Sequence, residues 1–180
     1  MLIASLKKKE NIAEYLLYMW QIEDLIRAYN LNIDLIRGEI IDRYDLPEEQ
    51  KKQMQEWYES LIDMMRSEGV VEKGHLQLNK NIIIDLTDLH QALLKSSKQP
   101  QYGAAFFKTL PYIVELRGKS GENQVGEIET CFNALYGVLL LKLQKKEISE
   151  DTEKAIKQIT SFLALLSEKY KQEKDGVLKL

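Results

Sequence analysis

The sequence predicts an all-α protein, a single helical bundle of six or seven helices over residues 1–180, with the last two forming an antiparallel pair. Three observations carry this. Apolar residues recur at alternating spacings of three and four in almost every segment, the period of a helix with one buried face. Glycine and proline are scarce, nine and three, and fall where helices would stop. No segment sustains the alternation of a half-buried strand; Ile82-Ile83-Ile84 comes nearest, but the leucine spacing after it is helical.

The first helix is expected from Lys8 to Tyr29. Ile12, Tyr15, Met19, Ile22, Ile26 and Tyr29 share one face, and Leu16, Leu17, Tyr18, Trp20 and Leu25 widen it. Only a narrow strip around Glu14, Gln21 and Asp24 reads as solvated, so this helix should lie at the centre of the bundle. Asn30 offers a left-handed stop and Asn32 a new N-cap. Ile33, Ile36, Ile40 and Tyr44 then predict a short helix over 32–44, weakened by Gly38 to the extent of about 1 kcal/mol.

Pro47, followed by Glu48 and Glu49, marks the start of a third helix, and Arg66 before Gly69 marks its end. Its stripe is Met54, Trp57, Tyr58, Leu61, Ile62 and Met65. Residues 70–80 read as a loop, and a fourth helix follows over 81–95 on Ile82, Leu86, Leu89 and Leu93. After a polar break at 96–101, residues 102–117 are apolar and helical, with Pro111 expected to kink or split them. Residues 118–126 read as the most flexible segment. In the final pair, Phe132, Leu135, Tyr136, Leu139, Leu140 and Leu143 face Ile156, Ile159, Leu163, Leu166 and Tyr170, with Ser149 capping the last helix. The seam is expected to run through Leu139, Leu143, Ile156 and Leu163.

Composition excludes several function classes. A formal charge of −3 gives no strong field for nucleic acid or an anionic membrane, and the short lysine runs at 7–9 and 142–146 read as solvated helix ends. The longest apolar run, 134–141, is far below the roughly 20 residues of a membrane span. The amino terminus places its apolar residues before its lysines, the reverse of a secretory signal. The single cysteine, Cys131, excludes an internal disulfide and reads as a small core hydrophobe, in keeping with a reducing compartment. A soluble cytoplasmic protein is expected.

The chemical constellations are few. A carboxylate-bridged metal bundle needs two Glu-x-x-His pairs, and only Glu72 and His75 have that spacing, in a stretch broken by Gly74. No metal, cofactor or catalytic residue is expected. His90 lies between Leu86 and Leu94 and reads as a half-buried histidine bonded to a neighbour. Gly118-Lys119-Ser120-Gly121 lacks both the earlier glycine and the preceding strand of a phosphate loop. The remaining candidate is the flank of the first helix. Trp20, Glu23 and Arg27 fall together at spacings of three and four, with Asp24 beside them. Either this flank is structural, with Glu23 bonded to Arg27 or to Arg37, Arg66 or Arg117, or Trp20, Glu23, Asp24 and Arg27 line a cleft for a ligand or partner.

The same stretch carries a resemblance. Residues 9–15 (KENIAEY), then Tyr18-Met19-Trp20-Gln21, Glu23-Asp24 and Ile26-Arg27-Ala28 resemble the opening of a family of uncharacterised, all-helical bacterial proteins of about this length, found mainly in anaerobic gut bacteria. The resemblance implies an all-helical fold and no particular activity. Two functions are therefore weighed. One is a non-enzymatic interaction module that binds a protein partner or forms a homo-oligomer, in keeping with exposed-looking Val177, Leu178 and Leu180. The other is a small-molecule-binding protein or enzyme using the aromatic and charged flank of the first helix. A filled core around Trp20 favours the former; an open cleft with Glu23 and Arg27 unpaired favours the latter.

Overall fold

The computed structural model describes residues 2–119 and 125–180, with side chains from residue 4 onward. The described residues form eight α-helices and one 3-10 turn, and no strand. The helices are α1 (Leu2–Glu10), α2 (Ile12–Ala28), α3 (Ile33–Glu39), α4 (Glu48–Ser67), α5 (Gln77–Lys95), α6 (Pro100–Lys119), α7 (Glu127–Leu143) and α8 (Glu150–Lys174), with the 3-10 turn at Ile41–Arg43. Eight exceeds the six or seven expected, and Asn11 is the reason. Its Oδ1 accepts the Ala13 N–H at 3.0 Å, an N-cap that starts α2 afresh inside what reads as one helix.

Local signals set most other boundaries. Leu31 N–H donates to Ile26 C=O at 2.9 Å and Asn30 N–H to Arg27 C=O at 2.9 Å, the paired bonds that close a helix through a left-handed residue. Asn30 and Leu31 both have positive φ, 54° and 55°. The Asn32 side chain then caps α3, accepting from Asp34 and Leu35 N–H. The helix expected over 32–44 ends at Glu39 and continues only as the 3-10 turn. Pro111 does not split α6, which runs unbroken to Lys119. The missing bond frees the Phe107 carbonyl, on a side of the helix open to water. The flexible segment expected at 118–126 lies partly outside the described residues, at 120–124.

The chain divides into two compact units, residues 1–8 with 14–81 and residues 9–13 with 82–180. In the first, α3, the 3-10 turn and α4 pack together. Its buried side chains include Leu16, Met19, Ile26, Ile36, Ile41 and Met65, and Trp20 is only 2% exposed.

In the second unit α6, α7 and α8 pack against one another, α7 and α8 as the antiparallel pair expected across a short connection. Tyr102, Phe106, Ile113, Phe132, Phe162 and Leu166 fill its core. The seam differs from the expected one at Leu143, which is 66% exposed; Val138 is the last buried residue of α7, and Leu139, Leu140 and Leu141 after it are half-buried. The last two residues are tied down, with Lys98 Nζ donating to Leu180 O and Gln99 Nε2 to the Lys179 carbonyl, both at 2.7 Å.

Candidate functional site

α2 presents Trp20, Glu23, Asp24 and Arg27 to the connection between α4 and α5, and all four grip it or one another. Glu23 is fully buried. A carboxylate there must be hydrogen-bonded to be tolerated, and it has three donors. Leu76 N–H reaches Oε1 at 2.9 Å, Asn79 Nδ2 reaches Oε1 at 2.7 Å, and His75 Nδ1 lies 2.6 Å from Oε2. Leu76 immediately precedes α5, its carbonyl accepting from Asn79 and Lys80 N–H. Glu23 thus places negative charge at the positive end of α5. Glu68 Oε2 takes the next donor, Gln77 N–H, at 2.6 Å. Two carboxylates from outside the helix cap it, which is why α5 starts at Gln77 and not at the expected residue 81.

The expected Glu23–arginine bond is therefore absent. Arg27 pairs instead with Asp24 at 2.8 Å, and its other amino group donates to the carbonyls of Val70, at 3.1 Å, and Gly74. The loop can offer both carbonyls because Gly69 and Gly74 take positive φ, 69° and 89°. A guanidinium fork suits this task, since one planar group reaches a carboxylate and two carbonyls at once. Trp20 completes the grip, its ring stacked on His75 at 4.1 Å between centroids and 13° between planes.

His75 and Asn79 are the two participants that sequence reasoning missed. His75 reads as an ordinary loop residue, and no spacing links it to a glutamate 52 positions earlier. The arrangement has one chemical consequence. With the Glu23 carboxylate accepting from Nδ1, the ring is held in one orientation on a side chain 30% exposed. Glu72 and His75 do not extend to a metal site; among the described residues no three histidine, cysteine or acidic side chains cluster to hold one.

A second feature lies on the solvent side of α6. Gly103, Ala104, Phe107, Pro111, Val114 and Gly118 fall on one arc of the helix, at spacings of one, three and four. Phe107 is 65% and Val114 60% exposed, and no charged residue interrupts the arc. A solvent-facing helix surface normally carries the charges. Among the described residues packing imposes neither glycine, since a Cβ added at Gly103 or Gly118 would meet nothing there within 4 Å.

A family model described as a domain of unknown function, DUF4924, matches residues 1–177. The chain belongs to the DUF4924 family. The match takes in both compact units and implies no activity. No curated protein and no solved structure matches the chain significantly.

The remaining clusters of this DUF4924 protein are interior or self-paired. His90 is only 1% exposed, deeper than the half-burial expected, with Nδ1 2.7 Å from the Tyr102 hydroxyl and Phe106 edge-on at 4.7 Å. Burial pushes its pKa down, opposed in part by Glu127, whose carboxylate lies 3.6 Å from Nε2. Burial pushes the nearby Cys131 thiol up to about 12, with Glu127 adding to the rise, so it stays a protonated core residue with little nucleophilic character. A cleft of about 440 Å³ is bordered by α6, α7 and the start of α8. Its charges are paired locally, Lys119 with Glu115 at 2.6 Å and Lys154 with Asp151 at 3.8 Å. No helix among the described residues is long and apolar enough to cross a membrane.

Proposed function

We propose that this DUF4924 protein is a non-enzymatic helical interaction module of the cytoplasm, docking through the outer face of α6. The observation that carries this reading is the exposed, uncharged arc around Phe107 and Val114. Apolar surface of that kind is stabilised by being covered, and contiguous patches of it mark protein contacts. The engagement of Glu23 and Arg27 by the α4–α5 connection, with Trp20 covered, supports the same reading. The single buried thiol fits a reducing compartment. A photo-crosslinking amino acid placed at Phe107 in living cells should form an adduct with a protein, whereas the same probe at the exposed, charged position Glu153 should not. Absence of any adduct at position 107 would sink the proposal.

One observation favours a second reading, a ligand site beside α2. The part-exposed His75 ring is held in one orientation by Glu23 and Trp20, the way a binding imidazole is supported. Trp20 and Glu23 would then orient His75 while Asp24, with a side chain 45% exposed, and Arg27 border it. Chemical-shift mapping against a library of small anions and carboxylates tests this, and shifts confined to other residues would count against it.

A further inference from the structure

We infer that the occupant of the α6 face is a second copy of the same chain, its α6 lying antiparallel across the first on a two-fold axis near Leu110 and Pro111. This rests on the proposed docking role of that face.

The argument begins with spacing. Within the arc, Gly103, Phe107, Val114 and Gly118 are separated by four, seven and four residues. That series reads the same from either end. A two-fold contact needs a surface complementary to itself, residue i meeting j while j meets i. About an axis between 110 and 111, Phe107 falls opposite Val114 of the second copy and Gly103 opposite Gly118. Each exposed large side chain gains an apolar partner, and the glycines at both ends let the backbones approach. Their open space within the chain then has a use.

Charge points the same way. Lys108 and Glu115 lie on one flank of the arc. An antiparallel two-fold brings like flanks together, so Lys108 of each copy lies within a turn of Glu115 of the other, twice over. Lys108 has no ion pair among the described residues, whereas Glu115 has only Lys119 from its own helix. A parallel pairing would set this flank against the opposite one, which carries Leu110 and Arg117.

Size sets the strength. A 20-residue helix is about 30 Å long, and a pair of that length buries area near the lower end for a specific contact, about 1,000 Å². The dimer is therefore a small, reversible one.

Sedimentation of the full chain from micromolar to millimolar concentration should show a monomer–dimer equilibrium. Phe107→Glu should weaken it roughly tenfold or more, with an unchanged thermal melt. Lys108→Glu alone should weaken it, and Lys108→Glu with Glu115→Lys should restore it. Under oxidation, a mixture of Phe107→Cys and Val114→Cys chains should form the mixed disulfide faster than either homodisulfide. A dimer untouched by Phe107→Glu, or a faster 107–107 disulfide, overturns this geometry. A monomer at every concentration overturns the second copy as occupant. If the probe at position 107 then still captures another protein, the docking role stands and only this inference fails; without an adduct, both fall.

Discussion

The Glu23 carboxylate accepts His75 Nδ1–H at 2.6 Å while the same carboxylate holds the first backbone donor of α5. One buried charge thus fixes a loop imidazole and a helix start together. It needs no arginine, because three donors and the helix dipole compensate it.

Removing that carboxylate should be costly. Glu23→Ala leaves Leu76 N–H, Asn79 Nδ2 and His75 Nδ1 without their acceptor and is expected to destabilise by about 3–5 kcal/mol. Glu23→Gln keeps an acceptor for Leu76 and should lose less. Urea denaturation of the three proteins measures the difference, and equal stability of Glu23→Ala and wild type would refute the capping role.

His90 predicts a pH dependence. Its folded pKa lies below the ordinary histidine value of 6.5, chiefly through burial. Between the two values the unfolded chain binds more protons than the folded one, so stability rises with pH through this window. The gain is complete once pH passes the unfolded value and is lost progressively in acid. His90→Gln should flatten the dependence of the urea midpoint below neutrality, and an unchanged slope would assign it to other groups.

The two leucines of the expected α7–α8 seam should behave differently. Leu163, 2% exposed, should cost about 2–5 kcal/mol on truncation to alanine. Leu143, at 66%, should cost little. Comparable losses at both sites would mean that the last turn of α7 packs after all.

Gly103→Ala is expected to stabilise the isolated chain by about 0.5–1 kcal/mol, since the new methyl meets open space and α6 gains helix propensity. Thermal melts at low concentration test this. A loss of stability would show that the position is crowded within the chain.

What could be read from the sequence was whatever neighbouring residues decide. Asn32 and Ser149 cap their helices as their identities suggest, and Gly69 ends α4 because its φ of 69° favours glycine. The flank of α2 was legible as a place needing partners, but the partners were not. Helical spacing brings Arg27 within reach of both Glu23 and Asp24, and the choice fell to donors on a loop some fifty residues away. The early start of α5 was hidden for the same reason, its caps being Glu23 and Glu68. At Asn11 the signal was local and was outweighed by the strong apolar period on either side.

The capping of α5 from a distance also bears on the order of folding. Bonds between Glu23 and residues 75–79 close a long stretch of chain, so their benefit arrives only after most of the entropy of bringing α2 and α5 together has been lost. The opening turn of α5 should therefore form on the far side of the rate-limiting barrier. Damage to Glu23 would then leave the refolding rate nearly unchanged and appear as faster unfolding, making this one carboxylate a determinant of how long the native chain lasts.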